Sequence, residues 1–436
     1  MKLNVYMGNV KAGSLDIASN EPFYGFTYDG EYLTSPEARL LSLSLPMVES
    51  RYPGAQAQPY FEGLLPEGES RNAIARRLGI PRTSSVKLLR VLGRGCVGDV
   101  SIIEEGDGTE PNSSQGYVHG TQTLLPLDGG IFSIAENPHK IIPRLQEDMR
   151  LSLAGGQKKI ALYHKHGDPM QEGWYVPTLG FPTTHIIKPG ILETHYPGIT
   201  LNEYLCLHAA TVCGISTVDA EIIFPEKPVI VIRRYDRLTG GKLENDLNAV
   251  SRIHQEDCCQ ACGVKSDMKY EHNGGPGFKQ IRDLLVKHCK HPVDDVVMLM
   301  KWGIFNYLIG NCDAHAKNLS LLHNTDGTVS LAPAYDMIST TVYDGRYGAK
   351  LSRNLGMRIG MHENIDRVTK DDFTAFAADV HMRLRLIKSF GEELTQKLPY
   401  AFYDASLAAN REGFRDAREM AGRILEGCTQ RAMNLP

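Results

Sequence analysis

The strongest constraint on this chain is an apolar run that stops abruptly in a polar cluster. The run VVMLMKWGIFNYLIG, Val296 to Gly310, carries one charge, on Lys301. A helix apolar on nearly every side has to be buried on nearly every side. The 436 residues of the chain are enough for two or three domains or subdomains and a core that can bury it. The segment NCDAHAKNLSLL, Asn311 to Leu322, follows at once and sets Asn311, Asp313, His315, Lys317 and Asn318 within eight residues. A rigid buried helix followed by such a cluster reads as a platform for a binding loop.

The spacing inside the cluster indicates which chemistry. Asp313 and Asn318 are five apart, the separation of base and metal-binding Asn in a protein-kinase catalytic loop. The Asp accepts or orients the proton of an attacking hydroxyl, and the amide oxygen holds the Mg²⁺ that bridges the phosphates. Lys317 is placed to neutralise a transferring phosphoryl group and His315 to touch the nucleotide. The stretch NLSLLHNTDGTVSLAPAYD reads as a hairpin turning at Asn324 to Gly327. It brings Asp336 to the end of its second strand as a hard oxygen ligand suited to Mg²⁺.

Upstream parts come in matching order. SLAGGQKK is a glycine turn able to lay backbone N–H groups over phosphates. Lys188 follows on a strand, in reach of the α- and β-phosphates, and Glu203 on the next helix is suited to orient it. VIRRYDR leaves a strand where a hinge receives adenine. Singly, each has an ordinary alternative: a hairpin turn, a surface lysine, a solvated glutamate, a helix end with its turn. The order along one chain favours the joint reading.

Composition limits the rest. A hydrophobic content of 42% and a charged content of 22% describe a soluble globular chain. A net charge of −4 excludes an autonomous polyanion binder. The N-terminus has no apolar signal region and no run of 18 apolar residues exists, so no membrane association is expected. Nine scattered cysteines fit reduced thiols in the cytoplasm. His254, Cys258, Cys259 and Cys262 in HQEDCCQACG resemble half a zinc site, but no second cysteine pair stands at a suitable distance. A helix face turned to a core, capped by HQED, is the alternative. HMRLRLIKSF places Arg383 and Arg385 on a solvated helix face or a small phosphate-contacting patch.

The chain divides into a module over 1–105, a Gly/Ser/Pro-rich linker or loop over 106–122, a strand-rich nucleotide-binding region over 123–245 and a mainly helical region over 246–436.

The motifs SLAGGQKKIAL, THIIKPG, NEYLCLHAA, RRYDR, IHQEDCCQACG, GGPG, NYLIGNCDAHAKNLSLL and LAPAYDMIST resemble those of the HipA family in order. PYFEGLLPEGESRNAIARRLGI resembles its N-terminal module. This is the toxin-kinase half of the HipBA type of toxin–antitoxin system. The resemblance implies an α+β fold of protein-kinase-like, bilobal form, with a β-rich N-terminal subdomain and a mainly helical C-terminal lobe. It implies a serine/threonine kinase that uses ATP and Mg²⁺ and arrests growth by phosphorylating a translation-related protein such as an aminoacyl-tRNA synthetase.

By motif position, Asp313 matches the catalytic base, Lys188 the nucleotide lysine, and Asn318 and Asp336 the metal ligands. Ala154, Gly155, Gly156, Gln157, Lys158 and Lys159 match the phosphate loop. Arg233, Arg234 and Tyr235 match the adenine hinge. His315, Lys317 and Tyr335 join the nucleotide-binding set. Ser152 matches a serine whose autophosphorylation inactivates the enzyme, since a dianion there repels nucleotide phosphates. A HipB-like helix-turn-helix antitoxin dimer, with operator DNA reached through it, is the implied partner, and Arg383 and Arg385 are candidates for added DNA contacts. The chain departs from the family pattern at Gly95, Asp99, Gly156, Lys158 and Arg233. A catalytically silent co-repressor scaffold and a small-molecule phosphotransferase remain the alternatives.

Overall fold

The computed structural model describes residues 2–16, 24–107, 124–149, 158–178, 181–242, 247–345 and 350–436. Ser152 and Ala154 to Gln157 of the expected phosphate loop lie outside the described residues, as does most of the expected 106–122 linker. The chain folds into two compact units: residues 1–188, 234–267 and 322–328 form the first, and 189–233, 268–321 and 329–436 the second.

The first unit opens with a four-stranded antiparallel sheet. Gly25–Tyr28 pairs with Val10–Asp16, which pairs with Leu3–Met7, which pairs with Val100–Glu104. Helices Gly54–Gly63, Gly68–Leu78 and Ser85–Leu92 share a core with this sheet, in which Phe26, Phe61, Leu89 and Ile102 are fully buried. Gly68–Leu78 buries Ile74 and Ala75 and is ended by Gly79 at φ 64°. The stretch YGFTYDGEYL has the aromatic and β-branched content of a strand, but is strand only from Gly25 to Tyr28. The Asp29 carboxylate accepts from the Glu31 N–H and starts a short helix, Gly30–Thr34, because an Asx cap competes with the strand.

A second antiparallel array in this unit pairs Leu124–Pro126 with Trp174–Pro177, that strand with Ile160–His164, and Ile160–His164 with His185–Pro189. Tyr163 and Phe181 are buried beside it, their rings edge to face. Two helices, Gly130–Glu136 and Pro138–Asp148, lie in the region read as strand-rich. Pro138 and Pro143 break the pattern of the second: Pro138 takes the first helical position, where proline is tolerated, and Pro143 lies inside the helix.

In the second unit, Pro292–Ile309 is the apolar helix of the opening motif. It begins with proline and has Asp294 and Asp295 in its first turn, where the helix dipole favours negative charge. Helices Ile199–Val212, Phe278–His288, Lys370–Asp379, Leu384–Arg411 and Ala417–Ala432 make up most of the remainder. The 246–436 region is less purely helical than its pattern implies. It includes the antiparallel pair Asn354–Ile359 and His362–Asn364. Among the described residues, no helix is long and apolar enough to cross a membrane.

Candidate active site

The loop after the apolar helix is closed by its own polar groups. The helix ends at Gly310, in the left-handed region at φ 75°, with its N–H donating to Asn306 and Tyr307 carbonyls. A Cβ there would fall 2.0 Å from Thr341 Oγ1, so glycine is required twice over. The Gly310 carbonyl accepts from the Thr340 N–H at 3.0 Å and from Thr340 Oγ1 at 2.9 Å. Thr340 Oγ1 in turn accepts from the Cys312 N–H at 2.9 Å. Asn311 Nδ2 donates to Asn306 Oδ1 at 2.8 Å, and Asn311 Oδ1 accepts from the Asp313 N–H at 3.1 Å. Asn318 Nδ2 then donates to the Asp313 carbonyl at 3.1 Å. Residues 311 to 318 are therefore held at both ends, which fixes the backbone that carries Asp313.

The Asp313 side chain stays 53% exposed above this frame. Its Oδ1 accepts from Tyr270 Oη at 2.6 Å and lies 4.0 Å from His315 Nε2. His315 is buried, and its pKa is pushed down to about 3 by burial first, then by the nearby Lys269 and Lys317 charges, with Asp336 opposing. The imidazole is therefore neutral at physiological pH. Lys317 and Asn318 are buried as well. The Lys317 carbonyl accepts from Tyr335 Oη at 2.7 Å, and that hydroxyl is 2.6 Å from Ser320 Oγ.

The expected turn is present: the Gly327 N–H donates to the Asn324 carbonyl, with Gly327 at φ 80°. Asp336, expected at the end of the second strand, lies beyond it, because Val329–Leu331 stops first. Pro333 has no N–H to extend a ladder. Ala334 bridges to Thr217 instead, and Asp336 takes a positive φ of 52°. Asn202 grips the following Ser339 through both its N–H and its carbonyl, each at 2.9 Å. The Asp336 charge acts on His315, opposing the downward shift of the imidazole.

Asn318 and Asp336 supply an amide and a carboxylate oxygen, the hard donors Mg²⁺ takes when phosphates complete its shell. The Asn318 amide nitrogen is committed to the Asp313 carbonyl, so its oxygen is the end left to coordinate. This donor set fits the ion.

The other sequence-singled residues fall in both units. In the second, Glu203 is buried on Ile199–Val212, and Arg233 is exposed at the end of Val229–Arg233, 4.0 Å from Asp219. Arg383 and Arg385 are exposed at the start of Leu384–Arg411. In the first, Lys188 is buried on His185–Pro189. Lys158 Nζ lies 2.7 Å from His139 Nδ1, and the Lys159 carbonyl accepts from Gln146. The Tyr235 hydroxyl bonds Gln255. Arg234 donates to Asp236 through Nε at 2.9 Å and through a terminal nitrogen at 2.7 Å. Its head group is thus engaged inside the protein.

The cysteine motif forms the short helix Cys258–Ala261, capped reciprocally by Asp257 and Gln260, with Cys258 and Cys259 buried. His254 Nε2 bonds the Leu41 carbonyl at 2.8 Å. Asp99, a departure from the family pattern, is buried and paired with Arg39 at 2.7 Å.

Tyr270 was not singled out from sequence. Its only local signal is the glycine-rich KYEHNGGPG around it, which marks a tight turn but not what the turn faces.

Residues 3–103 match the HipA N-terminal domain family and residues 151–402 the HipA-like C-terminal domain family. Y4mE of Sinorhizobium fredii, which carries a provisional kinase name, is 35% identical over 84% of this chain and 82% of its own length. The serine/threonine-protein kinase toxin HipA of Shewanella oneidensis is 24% identical over 93% of this chain and 90% of its own. A solved HipA chain of Shewanella oneidensis, from a complex with HipB and operator DNA, superposes with a TM-score of 0.78 at 22% identity. That match covers 98% of this chain and 97% of the other, so the two share an α+β, kinase-like fold. The chain belongs to the HipA family.

Proposed function

We propose that this protein is an ATP- and Mg²⁺-dependent serine/threonine protein kinase acting as the toxin of a toxin–antitoxin pair. One observation carries the reading: a half-exposed Asp313 carboxylate on a loop that buried Asn and Thr side chains lock in place. A carboxylate so held suits the orientation and deprotonation of an acceptor hydroxyl. Lys317 balances charge on the transferring phosphoryl group, and neutral His315 presents a polar edge without adding charge. Asn318 and Asp336 would hold Mg²⁺, which neutralises phosphate charge when bound.

Lys188 is assigned to the α- and β-phosphates, Glu203 to orienting it, and Ala154 to Lys159 to the phosphate loop. Tyr335 is assigned to the nucleotide-binding set and Arg233 to Tyr235 to the adenine hinge. Residues 123–245 then form the nucleotide half and 246–436 the catalytic half. Ser152 is the proposed inactivating autophosphorylation site. The partner is a helix-turn-helix antitoxin dimer, a counterpart of the HipB in the Shewanella complex with operator DNA, with DNA reached through it and Arg383 and Arg385 able to add contacts. The substrate is a protein of the translation machinery, and the setting is the cytoplasm.

The test is incubation with γ-labelled ATP and Mg²⁺ in a cell extract. Label on a protein, lost in Asp313→Asn, is the expected result. Bound nucleotide with no turnover supports a silent scaffold instead, and label on a metabolite supports a small-molecule kinase.

A further inference from the structure

The geometry points to Tyr270 as a positioning residue for phosphoryl transfer: its hydroxyl holds the Asp313 carboxylate in the orientation from which that carboxylate receives the acceptor hydroxyl. The inference rests on the kinase reading above and goes beyond it, because Tyr270 lies outside the motif parts given a role there.

The contact is Tyr270 Oη to Asp313 Oδ1 at 2.6 Å, in the range of a charge-assisted O–H···O⁻ bond. Such a bond fixes one carboxylate oxygen. An ionised carboxylate has about four lone-pair sites, so the group still has capacity for a substrate hydroxyl. The carboxylate is half exposed, and a short hydrogen bond to one oxygen narrows the χ2 range open to it. A general base works only when aimed, and small misplacements cost large factors in rate.

Tyr270 is itself held from several directions. Its ring meets His315 edge to face at 5.2 Å between centroids and stacks on His272 at 5.4 Å. The next residue, Glu271, is clamped by Arg358. Arg358 Nε and a terminal nitrogen each donate to Glu271 Oε1 at 3.0 Å, and the Arg358 backbone N–H donates to Oε2 at 2.7 Å. Arg358 lies on Asn354–Ile359, and Gly356 on that strand passes against the catalytic loop itself. A Cβ on Gly356 would lie 2.7 Å from Ala314 backbone atoms and 2.8 Å from His315 N. Gly275 is equally tight, its Cβ position 2.4 Å from the Met268 carbonyl. One strand thus braces both the loop that carries the base and the turn that carries the tyrosine. This is how a preorganised pair is built.

The decisive variant is Tyr270→Phe, which keeps the ring contacts and removes the hydroxyl. For the full chain with Mg²⁺-ATP and protein acceptor, kcat should fall about tenfold, the size of one charge-assisted hydrogen bond. The KM for ATP and the melting temperature should stay put. In an Asp313→Asn background the same change should add nothing, since the group being aimed is gone. An independent readout is the ¹⁹F resonance of 3-fluorotyrosine at position 270, identified by its loss in Tyr270→Phe. It should move in Asp313→Asn.

Unchanged kcat, equal losses in ATP affinity and melting temperature, or a full effect surviving in Asp313→Asn each overturns the inference. A rise in rate also overturns it, since the hydroxyl would then be a blocker. If the unaltered protein transfers no phosphate, the kinase reading fails, and the fluorine shift alone decides whether the two side chains are coupled.

Discussion

Asp236 in the first unit and Asp313 in the second are both aspartates in tight polar surroundings, and almost everything else about them differs. Asp236 is 2% exposed and accepts from Arg234 twice, from the Gly98 N–H at 3.2 Å and from Gln255 Nε2 at 3.1 Å, with Arg237 at 2.9 Å. Burial raises its pKa, but the two arginines outweigh burial and hold it well below the usual carboxylate range. Asp313 is half exposed, and a neutral phenol is its short-range donor. A carboxylate saturated by internal cations has no capacity left for a ligand. One aimed by a phenol and half exposed to solvent can still be reached by a ligand. The first pattern ties distant chain segments together, and the second suits chemistry.

The sharpest way to break this contrast is to remove each carboxylate and read two quantities. Asp313→Asn should lower phosphoryl transfer by about 10²- to 10⁴-fold, the typical share of a positioned acid–base group. Its melting temperature should stay within the small range of surface substitutions. Assays with labelled ATP beside thermal melts decide it. A large loss of stability would show Asp313 to be structural. Asp236→Ala should do the reverse. It strands two buried arginines, a change that costs about 3–5 kcal/mol. Soluble yield and melting temperature should collapse, and an unperturbed variant would mean that the cluster is open to water.

How far these features can be read in the sequence follows from their separation along the chain. His315, Lys317 and Asn318 fall on one loop because they are neighbours, and the apolar helix before them is visible because its pattern is long. The turn at Asn324 to Gly327 carries its own chemistry. The bond from Tyr270 to Asp313 spans 43 positions and that from Gly98 to Asp236 spans 138. No local periodicity encodes either. RRYDR, read as a hinge for adenine, also carries a local pair, Arg234 with Asp236 two positions on, whose links to Gly98 and Gln255 the sequence does not show. Proline content hides helices as well, since Pro138–Asp148 is helical with two prolines.

A smaller effect probes the brace between turn and loop. Gly356→Ala puts a methyl group within 2.7 Å of the Ala314 carbonyl, where backbone has to give way. Overpacking of this kind costs about 1–3 kcal/mol. Because the shift falls on the catalytic loop, kcat should drop together with melting temperature, unlike the split expected for Tyr270→Phe. A rate unchanged at lower stability would separate the strand from the site.

The smallest effect concerns acid sensitivity, and it belongs to the first unit. His254 is fully buried and its pKa is lowered well below the ordinary imidazole value, by burial first and then by His323; Arg39 also lowers it, while the bond to the Leu41 carbonyl and Asp236 oppose. The folded state therefore refuses a proton that the unfolded chain accepts below about pH 6.5. Where the unfolded state binds more protons, stability rises with pH, so this residue destabilises the fold as pH falls from 6.5. Between pH 6.5 and 5.5 the loss is about 1 kcal/mol, because the unfolded-state imidazole is half protonated at the start of that window and nearly fully protonated at its end. His254→Gln has an amide able to reach the Leu41 carbonyl but cannot titrate. Its melting temperature should fall less than that of the unaltered protein between pH 7 and 5.5, even if it starts lower. Parallel melting curves for the two proteins would mean that the imidazole gains its proton within the fold, and that the interior of the first unit is less closed to charge than the Asp236 cluster implies.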